Sequence, residues 1–380
     1  VIFRKIDSER RQPNKESQAC GLFGVMNTSG ERFGGEMAIT AIKNIKVRGN
    51  GLGGGFAVYG LYPEYRDYYA LHVMFQNRNR EAKRKVDEFL NEHFRIVHDE
   101  EIPTDERVPL FSPPLCWRYF VAPRKRPEEE GVPDDEFVVA RVMHINCHIE
   151  DAYVFSSGKD MGVFKGVGFP EEIAEYFMLD KLYRGYIWTV HSRFPTNTPG
   201  WWGGAHPFNI LDWTVVHNGE ISSYGTNKRF LEMFGYYCTL YTDTEVMAYA
   251  VDLLMRRQGL PIEVVAKIFA PPMWDLIAHM DGEERRLYTV LRMVYAPLLI
   301  NGPFTVIVAH HNEMFGLTDR IRLRPITAAA RGDFVFLSSE EAAIRAVSPE
   351  VDLAWTPSGG EPVVVRLHTR DHLKSVARSI

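Results

Sequence analysis

Only four cysteines occur in 380 residues (Cys20, Cys116, Cys147 and Cys238), and no two of them stand at the spacing of a zinc or redox motif. A disulfide framework is excluded, no metal site is expected, and the chain reads as one from a reducing, cytoplasmic compartment. No run of about twenty apolar residues exists to span a bilayer. Residues 1–19 carry Arg4, Lys5, Arg10, Arg11 and Lys15 but lack the apolar stretch that an export signal needs. The net charge is a mild −5 and the basic residues are scattered, so there is no electrostatic footprint for nucleic acid. Internal repeats and low-complexity segments are absent as well. What remains is an ordinary globular composition, 45% hydrophobic and 24% charged, with enough apolar mass for a large core.

Within that composition, one cysteine has a telling position. Cys20-Gly21-Leu22-Phe23-Gly24-Val25 places it at the mouth of a short apolar strand, after a charged and weakly patterned arm. A free cysteine is often just a small buried hydrophobe, but at a strand end it can serve as a nucleophile. Were the chain cut before it, the thiol would share its residue with an α-amine of pKa about 7.7 to 8.0, close to where a general base works best. Residues 1–19 therefore read as an N-terminal arm or as a propeptide removed at Ala19-Cys20, and residues 20–380 as the folded domain.

Along the chain, apolar spacing predicts a helix near residues 37–45, followed by Gly49-Asn50-Gly51-Leu52-Gly53-Gly54-Gly55. This run contains a G-x-G-x-x-G, yet a dinucleotide fingerprint must follow a strand and open a helix. Here a helix precedes and a strand follows, so the glycines are read as allowing close backbone approach. A strand at 67–75 and a helix at 79–94 come next, and the proline-rich, charged stretch 96–136 reads as solvated loop. Residues 137–145 and 152–156 pattern as strands, which makes His144, Cys147 and His148 strand residues on mixed faces rather than metal ligands. Together these suggest an α/β insertion lobe over about residues 76–155. Further on, the pattern predicts helices at 170–182, 243–257, 261–279 and 283–294. Strands are predicted at 186–191, 213–217, 304–309, 313–317, 334–337 and 363–366. Asp243 is a plausible N-cap of its helix.

Six short motifs recur in a telling order: Cys-Gly-Leu-Phe-Gly from Cys20, Arg-Gly-Asn-Gly-Leu-Gly from Arg48, and His-Ser-Arg-Phe-Pro-Thr-Asn-Thr from His191. Then come Ala205-His206-Pro207-Phe208, His-Asn-Gly-Glu from His217, and Thr-Asp-Thr-Glu from Thr242. In this order they resemble the class II, N-terminal-nucleophile (Ntn) glutamine amidotransferases, and most of all the amidotransferase part of glutamate synthase. The likeness covers roughly residues 20–56 and 185–254 and leaves the inserted lobe outside. It implies an α+β fold, a four-layer αββα sandwich of two antiparallel sheets between helices.

The resemblance also implies roles. Cys20 would attack the side-chain amide of L-glutamine, with its own α-amine moving the proton. Asn218 and Gly219 match the oxyanion hole, Arg193 matches the residue that grips the substrate α-carboxylate, and Asp243 matches the partner of the α-ammonium. No cofactor is expected in this chain. The ammonia acceptor would be a separate glutamate synthase subunit holding FMN and an iron–sulfur cluster. An amidotransferase subunit of another synthase, or a catalytically silent scaffold that kept the fold, are the alternatives.

Overall fold

The computed structural model describes residues 20–194, 200–240 and 242–367. The strand Gly21–Asn27 is buried along its whole length, which needs cover on both faces. Period-two alternation shows what supplies it. A Cβ at Gly21 would meet Ile42 and Ile45, at the end of the helix Glu36–Asn44, whereas one at Gly24 would meet Ile307 and Met314 of a second sheet. Helix, sheet, sheet is thus already fixed by one strand.

The first sheet has seven strands in the order Leu353–Trp355, Thr327–Arg331, Phe334–Ser338, Gly21–Asn27, Ile187–Ser192, Gly54–Tyr59 and Met161–Gly166. Its pairs are all antiparallel. The second has five, in the order Phe208–Ile210, Trp213–Gly219, Phe304–His310, Glu313–Thr318 and Val363–Arg366, also antiparallel. Helices Glu36–Asn44, Pro170–Tyr176 and Glu341–Val347 pack on the first sheet, and Asp243–Val251 packs on the second. This is the expected αββα sandwich of an α+β fold. Most of the strands enclosed on both sides read as near-continuous apolar runs in the sequence; Met161–Gly166, enclosed as fully, is not among those predicted.

The inserted region is where sequence and structure part. Tyr69–Phe75, Phe94–Glu101, Leu115–Pro123 and Ala152–Ser156 form a separate four-stranded antiparallel sheet, so the lobe's first strand lies before residue 76. The stretch expected to be solvated loop supplies two of these strands. Phe94–Glu101 buries Phe94 and then alternates half-buried with exposed residues, with Arg95, Asp99 and Glu101 on the open face and Glu100 turned inward to Arg118. Residues 137–145 are not a strand: they belong to the helix Asp134–His148, opened by Asp134, Asp135 and Glu136 in its first turn. His144 and His148 accordingly share one helix face and stack on each other at 4.6 Å, with His144 also on Phe89. Helix Arg80–His93 appears as expected, capped by the Asn79 side chain on the N–H groups of Glu81 and Ala82.

Other differences are smaller. The expected helix 170–182 is two helices, Pro170–Tyr176 and Leu179–Leu182, broken at Met178 with a positive φ of 51°. The helix expected at 261–279 is divided too, into Ile262–Phe269 and Trp274–Ala278, since Pro271 and Pro272 interrupt it. Among the described residues no helix is long and apolar enough to cross a membrane.

Candidate active site

Pairing of Gly21–Asn27 with Ile187–Ser192 sets Gly21 opposite Ser192, so the next step outward brings Cys20 to Arg193. The thiol meets the following residue: the Phe194 N–H donates to Cys20 Sγ at 3.3 Å, and Sγ lies 3.8 Å from the Phe194 carbonyl. Arg48 Nε donates to the Cys20 carbonyl at 3.0 Å and ion-pairs through Nη1 with Glu340, which fixes the residue from behind. Burial pushes the thiol pKa up. The Phe194 backbone and the charge of Arg193 pull it back only in part, and Asp243 adds to the rise. A thiol held protonated in this way needs a base before it can attack.

Arg193 is 4% exposed, and its backbone N–H donates to the Gly53 carbonyl at 2.9 Å. Gly53 has φ +154°, and a Cβ there would stand 3.0 Å from Arg193 Cδ. The glycine run therefore cradles the arginine rather than a phosphate, in keeping with its reading as a place of close backbone approach. Burial lowers the guanidinium pKa, with the charges of Cys20 and Asp243 opposing that.

Asn218 and Gly219 end the strand Trp213–Gly219, paired with Thr305 and Phe304. His191, the partner of Leu22, donates from Nε2 to the His217 carbonyl at 2.9 Å and so ties the two sheets together one residue before Asn218. Gly219 adopts φ +145°, and a Cβ would fall 2.0 Å from the Pro303 carbonyl oxygen. Only glycine can turn the backbone here.

Asp243 opens the helix Asp243–Val251, but the cap is Thr242, whose Oγ1 accepts the Glu245 N–H at 3.3 Å. The carboxylate is left free for other contacts. Its Oδ2 accepts the Ile221 N–H at 3.2 Å and its Oδ1 lies 3.6 Å from His217 Nδ1. Burial alone would raise this pKa. His217 and the backbone donor outweigh burial and hold the carboxyl below its usual range, so it is ionised at neutral pH.

Beneath these groups lies a buried network that motif reading did not assign. Thr244 Oγ1 lies 2.7 Å from His206 Nε2, 3.1 Å from His217 Nδ1 and 3.4 Å from Asp243 Oδ1. The rings of His191 and His206 stack at 3.9 Å. Burial drives His191 down to about 3 and His206 well below its usual value, so both are neutral. Lys165, pushed down to about 7 by burial, donates to the Gly203 and Pro207 carbonyls at 3.0 and 3.3 Å and braces the loop that carries His206. The signal for Lys165 was a lone lysine within the otherwise uncharged strand Met161–Gly166. Residues 195–199, within the long histidine-led motif, and residues 1–19 lie outside the described residues.

One end of a two-sheet sandwich thus gathers a cysteine, a buried arginine, a glycine-kinked strand end and an ionised aspartate. With this geometry goes a family match: residues 60–239, a little under half of the chain, match the family model "Glutamine amidotransferases class-II". That interval holds Arg193, Asn218 and Gly219, begins after Cys20 and ends before Asp243.

Among particular relatives, an Archaeoglobus fulgidus protein described as uncharacterized is 69% identical over 368 residues, 97% of each chain. A Methanothermobacter thermautotrophicus protein with a provisional glutamine amidotransferase name is 26% identical over 333 residues, 86% of this chain and 93% of that one. The large chain of NADPH glutamate synthase from Bacillus subtilis is 26% identical over 215 residues, 51% of this chain but 14% of the synthase.

Proposed function

We propose that the chain hydrolyses L-glutamine at Cys20 and supplies the ammonia to a separate glutamate synthase subunit. The observation that carries this is the seating of Cys20 Sγ on the Phe194 N–H, one residue after the buried Arg193. It sets a nucleophile beside a cation suited to a carboxylate, where a planar guanidinium can bind both oxygens. Asp243, ionised and also close to Cys20, supplies the opposite charge for the α-ammonium. A substrate with both charges at one end and an amide at the other fits that pair.

In this reading residues 1–19 are removed, which frees the Cys20 amine to take the thiol proton as sulfur adds to the amide carbon. The oxygen that gains charge is met by the Asn218 side-chain amide and the Gly219 N–H, donors that matter most in the tetrahedral state. Collapse returns the proton to nitrogen, breaks the C–N bond and releases ammonia. Water then cleaves the thioester to glutamate and restores the thiol. The partial likeness to the synthase large chain supports the choice of acceptor. That partner subunit would carry FMN and an iron–sulfur cluster.

The test is ammonia release from glutamine by the native chain and by Cys20→Ala, with N-terminal sequencing of the active preparation. Loss of release in the variant with an unchanged circular dichroism spectrum, and a first residue of Cys20 in active material, are the expected results. A fully active variant refutes the nucleophile. Full activity in a chain that keeps residues 1–19 refutes the amine as base.

A further inference from the structure

At the pole of the sandwich away from Cys20, two hairpin turns of the second sheet meet. Asp212 sits in the turn between Phe208–Ile210 and Trp213–Gly219, and His310 and His311 at the turn between Phe304–His310 and Glu313–Thr318. Among the described residues, these three form a group in which one ligand atom from each lies within 4.8 Å of the other two. The strand Trp213–Gly219 separates the group from the active end, about 20 Å at roughly 3.3 Å per residue. We propose that Asp212, His310 and His311 bind a divalent first-row metal ion of the zinc class, which clamps the two hairpins together.

The side chains are held as ligands would be. Asp212 Oδ1 accepts the Lys159 N–H at 2.6 Å, while Oδ2 stands 3.5 Å from His311 Nδ1. Ligand atoms around a tetrahedral ion at about 2.0 to 2.1 Å are themselves about 3.3 Å apart, so this pair is already nearly at coordination spacing. His310 is oriented twice, by its Nδ1 at 3.0 Å from Asn312 Oδ1 and by the Trp213 ring at 4.2 Å. Such outer contacts are what fix a ligating imidazole in place.

The backbone is pinned as well, from the first sheet. The Tyr59 hydroxyl lies 2.8 Å from the Asp212 carbonyl and 2.7 Å from that of Ala309, and the Tyr186 hydroxyl donates to the His311 carbonyl at 2.6 Å.

Two imidazoles and one carboxylate suit a borderline ion such as zinc better than the hard, all-oxygen preference of magnesium or calcium. Three protein ligands leave a position for water. The distance from Cys20 keeps the ion apart from the glutamine chemistry. The sequence concealed the site because Asp212 lies far from the two histidines in the chain, unlike the short ligand spacings of zinc motifs.

The test uses the whole chain, stripped with a chelator, and two probes, Co²⁺ followed by its visible absorption and Zn²⁺ followed by calorimetry. One saturable equivalent per chain is expected, with Tm raised by Zn²⁺. His311→Ala should weaken binding by about a hundredfold or more, as loss of a direct ligand exceeds the roughly 10- to 100-fold of an outer contact. His311 is exposed, so this variant should fold. His148→Ala, which alters the stacked pair on the lobe, should leave binding unchanged. Absence of saturable Co²⁺ binding in the native chain, undiminished binding in His311→Ala, or equal loss in His148→Ala would each overturn the site.

Discussion

The sandwich and the inserted lobe solve the same problem, covering an antiparallel sheet, in opposite ways. In the sandwich, strands such as Gly21–Asn27 and Ile187–Ser192 are buried on both faces, and polar residues collect where the strands end. In the lobe, Phe94–Glu101 keeps one face open and carries its charges along the strand. A strand enclosed on both sides has nowhere to put function except at its ends. The edge strand Phe94–Glu101, unlike the fully buried Tyr69–Phe75 and Ala152–Ser156 of the same sheet, spreads polar groups over a surface, where water screens them. The chemistry belongs at the end of the sandwich, and substitutions should separate the two regions accordingly.

Asn218→Ala should have the largest effect. Loss of one oxyanion donor typically lowers kcat by about a hundred- to a thousandfold, and stopped-time ammonia assays would read it. A near-native rate would remove Asn218 from the site and weaken the contrast between strand ends and open faces. Next comes Arg193→Ala: losing one partner of a desolvated charged pair costs about 2 to 5 kcal/mol. The apparent KM for glutamine should rise by about tenfold or more, and an unaltered KM would make Arg193 a packing residue.

An intermediate effect tests the junction between the regions. His72, on the lobe strand Tyr69–Phe75, lies 2.9 Å from Tyr62 Oη and 3.0 Å from the Val163 carbonyl of the first sheet, and burial lowers its pKa to about 3. A histidine with a depressed folded pKa contributes stability that is fully present above about pH 6.5, its unfolded value, and is lost as pH falls towards the folded value. Tm should therefore drop between about pH 6.5 and 3, and His72→Gln should flatten part of that slope. An identical slope in the variant would assign the acid sensitivity elsewhere, to His191 and His206 for example. Smallest of all should be Arg84→Ala, which removes ion pairs with Glu81 and Glu88 on an exposed lobe helix. Water screens surface pairs of this kind, and chemical denaturation should detect little change. A large loss there would show the lobe to be no mere screened surface.

What could be read from the sequence follows the same division. Doubly covered strands such as Gly21–Asn27, Ile187–Ser192 and Phe304–His310 were legible from their apolar runs, whereas Met161–Gly166, equally buried but broken by two glycines and a lysine, was missed; helix Arg80–His93 was legible because Asn79 caps a clean amphipathic repeat. Helix Asp134–His148 was misread because Phe137, Val138, Val139, Val142 and Ile145, all buried, have the side chains of a strand. Tertiary burial overrode local preference. The strand Thr327–Arg331 failed in the other direction, as three consecutive alanines carry no strand signal and its place beside Phe334–Ser338 decides it. Leu115–Pro123 was hidden by the prolines that flank it.

For the site, Cys20, Arg193, Asn218, Gly219 and Asp243 were visible only as members of an ordered motif set. The structure gathers their strand ends and helix start at one pole. The contacts of Thr244 with His206 and His217 were not legible, because they depend on how the helix Asp243–Val251 seats on the second sheet. No spacing rule encodes that.

The hydrogen bond from the Phe194 N–H to Cys20 Sγ joins residues 174 positions apart in the chain. In the order of synthesis, the thiol emerges early and the groups that place it emerge much later. Contacts of such long range close only after the intervening chain has been made and packed, and they form late and slowly. A growing or partly folded chain therefore carries an unplaced thiol, with neither Arg193 nor the turn at Gly219 beside it. If Cys20 acts as proposed, its reactivity arrives together with completed folding, and the fold itself sets when the chemistry can begin.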